Sequence, residues 1–246
     1  WIKHEFLKVV QDELEATIVG DDVEIVESPL CDDPAHQLDA LEAEEEAVRC
    51  SAANIIADSA LLYDDLTIRA EVVSRLVDLL ADGKTGNTQL AAARALADIS
   101  RQHVEWAFDY PDTIPSIAIQ ARAPIQREVL FLNQQMVKVC DSSVENLSTK
   151  RKVSVFRIVS TASKCLCNED ANVASRSAKI IDLASQKDIR FVINILNDLY
   201  QCQYTSNPIV GEVIDSVIDR LKDADGFDIN HALDGEIDQL DVLQST

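Results

Sequence analysis

Apolar residues recur at spacings of three and four along almost the whole chain, which is the period of amphipathic helices. Residues 1–17 set Ile2, Phe6, Val9, Val10 and Leu14 on one side. At 18–33 the pattern gives way to VGDDVEIVESPLCDDP, a polar, acidic link with a short extended piece at VEIV. Asp33-Pro34 reads as a helix start, a capping carboxylate ahead of a proline whose missing N–H costs nothing in the first turn. From there the spacing predicts helices over about 34–62, 66–82, 87–108, 114–121, 124–139, 145–167, 171–186, 188–203 and 208–223. Turns fall at DGKTGN, DYPDTIP, NED and TSNP. Inward positions include Val72, Val73, Leu76, Leu79 and Leu80, then Ile189, Val192, Ile195, Leu196 and Leu199, then Val210, Val213, Ile214, Val217 and Leu221.

One stretch is unusual for its small side chains. LAAARALADIS, residues 90–100, contains five alanines, and SAANIIAD at 51–58 aligns with AAARALAD at 91–98 at an offset of 40. Ala52, Ala53, Ile55, Ile56, Ala57 and Asp58 fall on Ala92, Ala93, Ala95, Leu96, Ala97 and Asp98. A weaker copy, RSAKIIDL at 176–183, puts Ala178, Ile180 and Ile181 on Ala53, Ile55 and Ile56. A period near 40 with two helices per unit predicts stacked hairpins. The second helix of each pair would then be covered on several sides, where small residues let axes approach to the short end of about 8–10 Å. The expected fold is all-α, a right-handed α-α superhelix of about five helical hairpins. The alternative is an irregular helical bundle in which two alanine-rich helices look alike by accident.

EAVRCSAANIIADSA and TQLAAARALADIS, each after an amphipathic segment rich in leucine or valine, resemble the HEAT/armadillo-repeat family. The resemblance covers about 34–140 closely and 145–223 loosely. Arg49 matches the arginine frequent early in the family's second helix. The second unit departs there, at Leu90-Ala91, and PIQREVLFLNQQMVKV keeps the helical period without the small residues. The resemblance implies a curved, non-catalytic scaffold or adaptor that binds another protein. Some members of the family handle tetrapyrroles or damaged DNA bases, so a nucleic-acid-handling or tetrapyrrole lyase-type enzyme on the same scaffold is the alternative.

Composition narrows the picture. Of 246 residues 47% are apolar, with six glycines and six prolines, enough for a sizeable core. Forty-three acids oppose 22 Lys and Arg, a net charge of −21. The acids are 27 Asp and 16 Glu, although Asp is the poorer helix former. This balance resembles proteins of extreme halophiles; an acidic protein of ordinary cytosol is the alternative. It disfavours nucleic acid as a partner, because phosphate binding needs positive charge. Residues 150–190 run the other way, with nine bases against four acids. Lys150, Arg157 and Lys164 are seven apart, along one helix face. That stripe is a candidate for docking an acidic protein partner, or the chain's own acidic tail; ordinary surface variation is the competing reading. Trp106, Phe108 and Tyr110 cluster in VEWAFDYPDTIP, as anchors for a partner or as plugs between hairpins.

Enzymatic patterns are thin. His4, His36, His103 and His231 lie in unrelated segments without metal-ligand spacing. Cys165-x-Cys167 aims its thiols at different helix faces, wrong for shared metal ligation. Asp21-Asp22, Asp32-Asp33 and Asp64-Asp65 suit helix edges. DADGFDINHALDGE fails the calcium-loop spacing at Phe227 and Asp228. No catalytic residue, metal or cofactor is therefore expected. The six cysteines are read as reduced thiols, several inside apolar stripes, in a cytoplasmic protein. No window is apolar enough to span a membrane, the opening WIKHEFLKVVQDELE lacks the apolar run of a secretory signal, and the missing initiator Met leaves open whether residues precede Trp1. The expected organisation is a helix and acidic linker at 1–33, a helical repeat domain at 34–223 and an acidic tail at 224–246.

Overall fold

Ten α-helices and three 3-10 segments, with no strand, make up the described part of the chain. The computed structural model describes residues 34–59, 66–82, 85–140, 144–203 and 207–224. These belong to the second of the chain's two units, Trp1–Asp32 and Asp33–Thr246. The expectations for 1–33 and 225–246 lie outside the described residues, as do the Asp21-Asp22, Asp32-Asp33 and Asp64-Asp65 pairs.

The helices are α1 (Pro34–Leu41), α2 (Glu46–Ser59), α3 (Leu66–Asp82), α4 (Gly86–Ser100), α5 (Thr113–Gln120), α6 (Ala123–Val139), α7 (Thr149–Cys165), α8 (Ala171–Lys187), α9 (Leu196–Cys202) and α10 (Pro208–Asp223). Short 3-10 segments cover Glu105–Asp109, Val144–Asn146 and Ile189–Ile195. Each even-numbered helix packs on the next, α2 on α4, α4 on α6, α6 on α8 and α8 on α10. The odd-numbered helices α1, α3, α5 and α7 touch in the same order, and each odd helix also packs on the even helix that follows it. All the extensive helix–helix contacts among the described residues join helices at most two apart in chain order.

Polar ties set the register of the even-numbered helices. Thr85, the N-cap of α4, donates its hydroxyl to Glu46 at the start of α2, 2.6 Å away. Arg127 at the start of α6 pairs with Asp170, the N-cap of α8. Asn207, the N-cap of α10, donates to Ser175 Oγ at 3.2 Å. N-terminal ends meet in each case, so these neighbours run in the same direction. At the other end of α6 and α8, Lys187 Nζ donates to the carbonyls of Lys138 at 3.1 Å and Cys140 at 2.7 Å.

The three similar segments fall on α2, α4 and α8. Ala52, Ala53, Ile56, Ala92, Ala93, Ala95, Leu96, Ala97, Ala178, Ile180 and Ile181 are all buried. The alanines are buried on α2 and α4, two helices that pack on each other, where side chains without bulk suit close axes.

Helix ends depart from the expectation in four places. The helix expected over 34–62 is two, broken at 42–45. The Arg49 guanidinium donates to the carbonyls of Ala43 at 2.5 Å and Glu44 at 2.7 Å, which withdraws them from a continuous helical ladder. Glutamates at 42, 44, 45 and 46 would also repel along an unbroken helix. The helix expected over 87–108 stops at Ser100 and resumes as the 3-10 segment at Glu105. α7 starts at Thr149 rather than 145, because the Ser148 side chain caps it by accepting from Arg151 N–H. Residues 188–203 divide into a 3-10 segment, whose N-cap Asp188 accepts from the N–H groups of Arg190 and Val144, and α9, which starts at Leu196 without a side-chain cap. Burial pushes the Asp188 carboxyl up, and the bonds from Arg190 and Val144 outweigh it, leaving it below the usual carboxylate range.

The reading of all cysteines as reduced thiols is corrected. Cys167 and Cys202 form a disulfide, with Cα atoms 6.0 Å apart, joining the turn after α7 to the end of α9. Cys167 lies past the last residue of α7, so it leaves the helix face that buries Cys165 and reaches the neighbouring element. Cys50 and Cys165 are free thiols. No helix among the described residues is long and apolar enough to cross a membrane.

Candidate interaction surface

The two surface features expected from the sequence meet. The first turns of α7 carry Lys150, Arg151 and Arg157, and the 3-10 segment and turn before α5 carry Glu105, Asp109 and Asp112. Lys150 pairs with Asp109, Arg151 with Glu105 and Arg157 with Asp112. The Arg151 guanidinium also lies over the Phe108 ring, 5.1 Å from its centroid. Phe108 is buried, as a plug between elements would be, while Trp106 and Tyr110 are half-buried. The Trp106 indole N–H is buried with no hydrogen-bond partner among the described residues. These pairs are largely exposed to solvent, so each is worth only about 0–1 kcal/mol. Lys164, at the far end of the stripe, is exposed and has no ion pair among the described residues. Lys150 and Arg157 thus already hold carboxylates of their own chain.

A second basic surface was not legible as a site. It is the outward stripe of α4, α6 and α8. Phe131, half-buried on α6, has two guanidinium groups against its ring, Arg101 at the end of α4 and Arg176 on α8, each 5.2 Å from the centroid. Arg94 lies seven residues before Arg101, Lys138 seven after Phe131 and Lys179 three after Arg176, so all three belong to the same helix faces. Arg94, Lys138 and Lys179 are exposed, and they and Arg176 have no ion-pair partner among the described residues. Arg101 has one ion pair among the described residues, with Asp98 at 3.0 Å on the surface of its own helix. Burial lowers the pKa of Arg176, against a weaker opposing pull from Glu128. A partly desolvated guanidinium without a carboxylate is a charge short of its counter-ion.

A cleft of about 290 Å³ opens beside α1 and α3, lined by Leu41, Glu42, Arg49, Arg75 and Leu79 among others. Asp78 and Asp82 also line it, without an ion pair among the described residues. Arg75 pairs with Glu42, and Arg49 is buried with its Nη1 on two backbone carbonyls. Among the described residues, neither a histidine nor a thiol lines it. His103 is exposed, and no cluster of three His, Cys, Asp or Glu with metal-binding geometry occurs among the described residues. His4 and His231, the side chain of His36 and most of DADGFDINHALDGE lie outside them. Burial raises the Cys165 pKa, which makes its thiol a poor nucleophile.

Comparison with known protein families finds no family model that matches this chain, and comparison with curated proteins finds no significant match.

Proposed function

We propose that the chain is a non-catalytic protein-interaction scaffold, a right-handed solenoid of five helical hairpins related to HEAT repeats. The observation that carries this reading is the order of the helix contacts. Even helices meet even and odd meet odd in chain order, and extensive packing stops at two helices' separation. A stack of hairpins, each too thin to cover its own open face, has this pattern. Buried alanines at matching positions of α2 and α4, and a third copy on α8, fit repeated units. The expected specificity features keep a reduced role in it, since Lys150 and Arg157 are engaged within the chain and Lys164 is the cation of that stripe left outward. A cytoplasmic location belongs to the same proposal, but the argument from reduced thiols does not extend to the Cys167–Cys202 pair.

The test is co-purification of the full chain at high salt followed by mass spectrometry. A scaffold returns one or a few proteins in stoichiometric amount. Recovery of nucleic acid, or of a tetrapyrrole absorbance band, with no protein partner overturns the reading in favour of the enzyme alternative.

A further inference from the structure

The geometry points to the outward stripe of α4, α6 and α8 as the docking surface for a carboxylate-rich peptide segment of a partner protein, centred on Phe131 with Arg101 and Arg176 against its ring. Calling the occupant a protein segment rests on the scaffold reading above; the demand for carboxylates comes from the stripe itself.

Three observations converge. The first is charge. In a chain of net −21, this stripe gathers Arg94, Arg101, Lys138, Arg176 and Lys179 against Asp98 and Glu128. The second is pairing. On the other strongly basic face, on α7, Lys150, Arg151 and Arg157 are paired with Asp109, Glu105 and Asp112 and Lys164 is left, whereas four of these five cations have no ion pair among the described residues. The third is shape. Guanidinium groups leaning on an aromatic ring are held in place, so less rotamer freedom is lost when they grip a carboxylate in their planar fork.

The extent of the stripe selects the occupant. Three packed helices at about 8–10 Å spacing span roughly 16–20 Å, which an extended peptide crosses in about six residues. A nucleic acid strand carries phosphates well beyond a patch of this length, onto the surface of a chain whose net charge is −21, whereas a short acidic segment ends within the patch.

The test uses the intact full-length chain and a fluorescein-labelled peptide of about eight residues alternating Glu and Gly, read by fluorescence anisotropy. A Lys–Gly peptide of equal length and a short oligothymidylate are the controls. The Glu peptide is expected to bind, and more weakly as salt rises. Arg101→Glu with Arg176→Glu should lower that affinity at least about tenfold. Lys179→Glu, at an exposed position with no packing role, should weaken it about threefold even if the double variant folds poorly. Lys150→Glu with Arg157→Glu should leave it within about twofold. Equal affinity in wild type and all the stripe variants overturns the proposal, as does tighter binding of the oligothymidylate. Absence of binding by any probe also overturns it; zero-length carbodiimide cross-links from Lys138 or Lys179 to residues 225–246 would then assign the stripe to the chain's own tail. A protein recovered by co-purification that is still recovered with the stripe variants would leave the scaffold reading standing and remove only this site.

Discussion

Asn133 is fully buried on α6, and neither end of its amide has a hydrogen-bond partner among the described residues; Ser177 on α8 is buried with an unpartnered hydroxyl as well. An unmet amide in such surroundings costs about 1–3 kcal/mol. Asn133→Leu, close in volume, is therefore expected to raise stability by about 1–2 kcal/mol, seen as a higher urea midpoint with unchanged slope. A lower midpoint would show that the amide contributes to the fold. Single positions were legible where a period governs them. Val72, Val73, Leu76, Leu80, Val210, Ile214, Val217 and Leu221 are buried as their spacing requires, while Leu79 is half-buried and Val77 takes an inward place. Positions defined by distant partners were not legible. Nothing around Phe131 in sequence announces that guanidiniums from α4 and α8 will reach its ring. In the same way Lys150 and Arg157 read as a free stripe because the acids that hold them belong to another segment.

At the scale of elements, the alanines of α2 and α4 make a measurable claim. Ala93→Leu adds bulk between two helices already in close contact and should cost about 1–3 kcal/mol in chemical denaturation. Asn54→Leu, on the exposed side of α2, should stay within about 0.5 kcal/mol. Equal effects would mean that small size at 93 is incidental. The existence of nearly every helix followed from the three-and-four spacing. Their ends did not, because several ends are chosen by single polar groups: Arg49 at the break before α2, Ser148 before α7, Asp188 before the 3-10 segment that precedes α9. The disulfide was missed for a related reason. Cys165 and Cys167 read as two residues of one continuous helix, but the helix stops at Cys165 and frees Cys167 to reach α9. Closing a loop of 35 residues constrains the unfolded chain, and Cys202→Ser is expected to cost about 2–4 kcal/mol. Reductant should lower the wild-type urea midpoint to that of the variant and leave the variant unchanged.

For the whole molecule, a net charge of −21 means that compaction works against self-repulsion. Raising NaCl from about 0.1 M to 1 M shortens the screening length from about 10 Å to 3 Å. The melting temperature should rise across that range, and a flat or falling response would remove the halophile-type reading of the composition. The disulfide has a mechanical consequence at this same scale. Residues 167 to 202 form a covalent ring that contains α8, so tension applied to the two termini is carried across the sulfur bridge and never reaches that helix. Stretched singly between beads, an oxidised molecule would extend roughly 115 Å less than a reduced one, because the loop that holds α8 never enters the load-bearing path.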